Sequence, residues 1–85
     1  MKEQSYKYRV IHVSGKELII TGTLGKSGAF KYGNGTSVQL DVEVNGTTQT
    51  ELLDTRYEMD ILPDFKKWLL KYIVNNWNVK SVELV

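Results

Sequence analysis

The sequence predicts a small α+β domain: a mainly antiparallel four- to five-stranded sheet covered by one amphipathic helix, in the order β-β-(loop)-β-β-α-β. Three observations lead there. One segment shows sustained helical periodicity, with Leu62, Phe65, Leu69, Tyr72 and Ile73 recurring at three- and four-residue spacing. Residues 36–44 alternate cleanly, Val38, Leu40 and Val42 facing one way and Gln39, Asp41 and Glu43 the other. Two turn pairs, Ser14-Gly15 and Asn45-Gly46, interrupt runs of β-forming residues.

Taken in order, residues 6–13 (YKYRVIHV) form the first strand and residues 16–24 its hairpin partner, centred on Leu18, Ile19, Ile20 and Thr21. Tyr6, Tyr8, Val10 and His12 share one face, and Ile11 and Val13 lie on the other, so this strand should be buried on one side and partly covered on the other. Residues 25–35 (GKSGAFKYGNG) carry four glycines and read as a long loop with a short strand, residues 29–32, inside it. The second hairpin turns at Asn45-Gly46. A strict two-residue turn would set Leu40 opposite Glu51 and Val42 opposite Gln49, mixing apolar with polar. A bulged turn that takes Val44 into the loop pairs Val42 with Thr48, Leu40 with Thr50 and Val38 with Leu52, and is the register expected. The returning strand starts at Thr47 and passes through Leu52-Leu53 toward Met59.

The helix is expected over about residues 63–76. Pro63 suits the first helical position, Asp64 the first turn, and Asn75, Asn76 and Asn78 are candidates to end it in left-handed geometry. Trp68 and Trp77 flank the apolar stripe, Leu70 widens it, Val74 falls nearer the far side, and Lys67 and Lys71 point to water. Residues 79–85 (VKSVELV) make a final strand at a sheet edge, with Val79, Ser81, Glu83 and Val85 on one side and Lys80, Val82 and Leu84 on the other.

Eighty-five residues form a single domain, residues 1–85, able to bury about 64% of its unfolded surface. With no cysteine the chain has no thiol chemistry and no sulfur-ligated metal or cluster. Met1-Lys2-Glu3-Gln4-Ser5 is polar and leads into a strand pattern, so no signal peptide is expected, and no apolar run reaches the length of a membrane span. A cytoplasmic protein with no membrane association follows as the expectation. The net charge of +1 opposes strong global attraction to nucleic acid, but its distribution is uneven. Residues 1–35 sum to +4, and residues 36–60 to −5.

Catalytic signals are weak. His12 is the one histidine, and a lone strand histidine reads as a surface or satisfied residue. Asp54, Glu58 and Asp60 form an acidic cluster with Arg56 nearby, which reads as a strand end and helix N-terminal charge. Gly25-Lys26-Ser27 resembles the end of a phosphate loop, but Ile20 stands where the upstream glycine is needed. No cofactor and no metal is expected, nor an enzyme; the glycine-rich loop and the acids near Asp54 are where one would look for a site.

Two binding readings remain. The leading one is a small non-catalytic module, of the kind bacteria and phages carry as accessory proteins, that binds an unidentified protein partner or itself as a homodimer through its oppositely charged hairpins. The alternative is weak single-stranded nucleic acid binding by interleaved aromatics and cations: Tyr6, Tyr8, Arg9, Lys26, Phe30, Lys31 and Tyr32.

Overall fold

A computed structural model describes residues 4–26, 36–54 and 64–85. Among these residues five strands and one helix follow in the order β1 (Gln4–His12), β2 (Glu17–Lys26), β3 (Thr36–Val44), β4 (Thr47–Asp54), α1 (Phe65–Asn76) and β5 (Val79–Leu84). They form one antiparallel sheet ordered β4-β3-β2-β1-β5, with α1 against one face. The two hairpins lie side by side, and the chain returns from α1 to add β5 beside β1. This is the architecture that alternation and helical periodicity predict.

The first turn is closed by Gly15 N–H donating to the His12 carbonyl at 2.9 Å and His12 N–H donating to the Lys16 carbonyl at 2.8 Å. Gly15 takes φ +91, where a side chain would be strained. The second turn is tighter. Asn45 at φ 52 and Gly46 at φ 82 give two consecutive left-handed residues, the geometry that matches the twist of a two-residue hairpin. Val44 therefore stays in the ladder opposite Thr47, and Val42 meets Gln49, Leu40 meets Glu51 and Val38 meets Leu53. This corrects the bulged register expected from the apolar pattern. The mixed face is tolerated because β4 is the outermost strand, and Thr47, Gln49 and Glu51 are exposed there. A helix is about 10 Å across, whereas five strands span about 19 Å between outer axes, so among the described residues one helix leaves a margin of the sheet uncovered.

Gly25 and Lys26 continue β2, pairing with Ser37 and Thr36, rather than opening a loop. The short strand expected at residues 29–32 lies outside the described residues, as does any extension of β4 toward Met59.

Helix α1 begins after Asp64, which is its N-cap and not a first-turn residue. The Asp64 carboxylate accepts from the Lys67 N–H at 3.1 Å, satisfying a donor the first turn leaves open. Leu62 and Pro63 lie outside the described residues. At the other end Trp77 is extended (φ −127, ψ 150) and donates its N–H to the Ile73 carbonyl, while the Asn76 side chain donates to the Tyr72 carbonyl at 2.8 Å. No asparagine near this end is left-handed; among the described residues only Asn45 has a positive φ outside glycine.

The buried stripe of α1 is Phe65, Leu69 and Ile73, four residues apart, flanked by half-buried Trp68 and Tyr72. It packs on Tyr8 and Val10 of β1, Leu18, Ile20 and Leu24 of β2, and Val38 and Leu40 of β3. Gly22 of the central strand is what lets the helix approach: a Cβ there would lie 2.6 Å from Leu69 Cδ2. Leu70 and Val74 are exposed and do not widen the stripe. In β5 the register slips between Ser81 and Val79, so Lys80 forms a bulge. The bulge turns Val79 to the same side as Val82, and both pack on the core, correcting the strict alternation expected there.

Candidate interaction surface

Strand period two separates the residues nominated for nucleic acid binding. Tyr6 and Tyr8 face the helix, and Arg9 faces the opposite side. The Tyr8 ring is 3% exposed, and its hydroxyl lies 3.4 Å from the Lys66 carbonyl, a long bond. Burial, with lesser contributions from Tyr6 and Asp64, raises the Tyr8 phenol above its ordinary pKa. Tyr6 is half-buried, its ring centroid 6.0 Å from that of Phe65. Tyr8 is therefore a core residue and not an exposed platform for stacking bases.

Arg9 is held by two carboxylates from neighbouring strands. Its Nε donates to Glu17 at 2.6 Å and its NH1 to Glu83 at 3.0 Å. The hydrogen bond it donates to Glu17, then that to Glu83, raises the guanidinium above its ordinary pKa. Arg9 is thus flanked by negative charge on the open face, which opposes a phosphate contact there. Lys26 ends β2 opposite Thr36. Phe30, Lys31 and Tyr32 lie outside the described residues, as do Arg56, Glu58 and Asp60 of the acidic cluster; Asp54 ends β4 opposite Ser37. The described part of the nominated surface does not come together.

His12 serves its turn: Nδ1 accepts the Ser14 N–H at 3.0 Å and lies 2.8 Å from the Ser14 hydroxyl. No group of three metal-ligating side chains occurs among the described residues, and no described helix is long and apolar enough to cross a membrane.

What the structure does bring together is apolar surface at the uncovered margin. Past the C-terminal end of α1, Trp77 faces Leu18 of β2 and Val42 and Val44 of β3 across an open groove of about 510 Å³, with Gln49 of β4 on its outer lip. His12 and Lys16 close the opposite rim. Aromatic contacts lead into it: Trp68 stacks on Tyr72 at 5.2 Å, and Tyr72 meets Trp77 edge-on at 6.2 Å. Val42, Val44 and Trp77 are only half-buried.

No protein-family model, curated protein or solved structure matches this chain. Function therefore rests on its own geometry.

Electrostatics divides the sheet laterally. Residues 36–54 contain Asp41, Glu43, Glu51 and Asp54 and no lysine or arginine. Asp41 accepts from the Thr50 hydroxyl at 2.7 Å and from the Gln39 amide. Glu43 and Glu51 have no ion pair among the described residues, whereas Glu17 and Glu83 share Arg9. The groove is hidden from the sequence because helical periodicity places Trp77 at the flank of the helix stripe. Its signal was nonetheless present: the apolar face of β3 runs opposite a polar one on β4 at the hairpin register that Asn45-Gly46 favours.

Proposed function

We propose that this chain is a small non-catalytic interaction module that binds another protein at the margin of its sheet, where β3, β4 and Trp77 meet. The observation that carries this reading is the groove of Leu18, Val42, Val44 and Trp77, apolar surface that is half-covered among the described residues and lies beside an edge strand. Covering such a surface removes apolar area from water at about 25 cal/mol per Å², and a neighbouring edge strand can align the partner's backbone. Single-stranded nucleic acid binding is the weaker reading, since Tyr8 is buried and Arg9 is shared by two carboxylates.

Affinity capture with the full chain and with Val44→Lys, followed by identification of the retained proteins, tests the proposal. A partner held by the wild type and lost by the folded variant is the expected result. Retention that is unchanged by Val44→Lys, with melting behaviour also unchanged, would place binding elsewhere and overturn the assignment.

A further inference from the structure

The two edges of the sheet differ in how they meet a passing strand. On β5, Lys80 sits at a bulge, and a bulge and a lysine are both devices that discourage strand addition. On β4 the register with β3 is unbroken from Thr47 to Asp54, and the stretch Thr47-Thr48-Gln49-Thr50 carries no charge. Among the described residues β4 has a strand neighbour on one side only. In a two-residue hairpin the residues flanking the turn exchange both backbone bonds, so Val44 bonds Thr47 and Val42 bonds Gln49. The alternate residues, Thr48 and Thr50, then direct their N–H and C=O groups away from β3 into the edge.

We propose that the stretch Thr47-Thr48-Gln49-Thr50 of the β4 edge takes an extended basic segment of a partner protein as a sixth strand, its apolar side chains lying over the groove and its lysines or arginines on the side of the β3 carboxylates Asp41 and Glu43. This rests on the protein-binding reading above and names the partner's chemistry. Strand addition places alternate partner side chains on the helix side, next to Gln49 and Glu51 and within reach of Val42, Val44 and Trp77. The remaining side chains fall on the open side beside Thr48 and Thr50, with Asp41 and Glu43 one strand further in. Cations on that open side would find in Glu43 a carboxylate without an ion pair among the described residues. A second copy of this chain fits less well. Pairing β4 with a two-fold-related β4 would bring together two hairpins that each hold four carboxylates and no cation. Nucleic acid, a polyanion, would meet the same repulsion.

The test is an amide NMR titration of the full chain with three probes. These are an end-blocked peptide of alternating lysine and valine about nine residues long, the same peptide with glutamate for lysine, and oligo-dT. The lysine peptide should shift the Thr48, Gln49 and Thr50 amides and the Trp77 indole N–H saturably. Its affinity should fall at least about tenfold with Thr50→Pro, which removes an outward N–H, and several-fold with Glu43→Lys. Because proline could unsettle β4, an N-methylated lysine–valine peptide against the wild type gives an independent check and should also bind at least about tenfold more weakly. Equal or tighter binding of the glutamate peptide at the same amides would overturn the basic class and leave the docking site standing. Silence of these amides with both peptides would overturn the site as well. Shifts at them caused by oligo-dT, or by raising the chain's own concentration alone, would reassign the edge to nucleic acid or to a second copy.

Discussion

The β5 and β4 edges of this sheet are built on different principles. The inward side chains of β5 are apolar, Val79 and Val82 packing on the core, and Glu83 is tied across to Arg9 of the next strand. Those of β4 are Thr47, Gln49 and Glu51, all exposed, with Leu53 alone packing inward. One edge is thus anchored by side chains, and the other mainly by its backbone ladder and a tight turn. The anchored edge is bulged and carries a lysine; the lightly anchored one is regular and uncharged over its first four residues. Among the described residues, the stretch Thr47-Thr48-Gln49-Thr50 therefore carries fewer devices against new strand pairing than β5 does.

The largest test of this picture concerns what both edges share. If α1 is seated over β2 through Gly22, then Gly22→Ala should destabilise the fold by about 1–3 kcal/mol by overpacking, and Leu69→Ala by about 2–5 kcal/mol through loss of packing. Adding Gly22→Ala to Leu69→Ala should then cost little further, because the clash is with the Leu69 methyls at 2.6 and 2.7 Å. Urea unfolding of the four proteins checks it. Additive losses, or a Gly22→Ala loss within the ordinary surface range of about 0.5 kcal/mol, would remove the helix from that position.

A smaller effect separates the edges themselves. Val82→Ala removes two half-buried methyl groups and should cost about 1 kcal/mol. Gln49→Ala, at an exposed position on the other edge, should stay within about 0.5 kcal/mol. Equal penalties from urea midpoints at matched slopes would break the comparison.

Much of the fold was legible in the residues. The alternation of Val38, Leu40 and Val42 set the faces of β3, Asn45-Gly46 located the second turn, and Phe65, Leu69 and Ile73 marked the helix stripe. The hairpin register was not legible from apolar pairing, because that criterion assumes every inward position is covered. One helix is narrower than five strands, so Gln49 and Glu51 can face inward and remain wet. Strict alternation puts Val79 on the wrong side, because a bulge at Lys80 leaves no strong sequence mark. The described part of the candidate site, Tyr8 and Arg9, is divided by a rule the sequence does contain. Tyr8 and Arg9 are adjacent on a strand and therefore occupy opposite faces, so aromatic–cation interleaving along one strand cannot by itself make one surface.

The smallest effect is pH-dependent and acts on the anchored edge. Tyr8 lies on β1 directly opposite Leu84 of β5, and burial raises its phenol above the usual value of 10.0. A raised phenol means that the folded state holds its proton more tightly than the unfolded chain does. Tyr8 therefore contributes its full stabilisation below about pH 10, and that contribution is lost as pH climbs from the unfolded value through the folded one. Urea midpoints measured from pH 8 to 11 should fall more steeply for the wild type than for Tyr8→Phe, which has no proton to lose. Over the same range the difference between the Val82→Ala and Gln49→Ala penalties should narrow, because an ionised phenol beneath the helix loosens the strand that carries β5. Parallel pH profiles for wild type and Tyr8→Phe would mean that the Tyr8 hydroxyl is solvated in the folded state, and that its ionisation does not weaken the anchoring of β5.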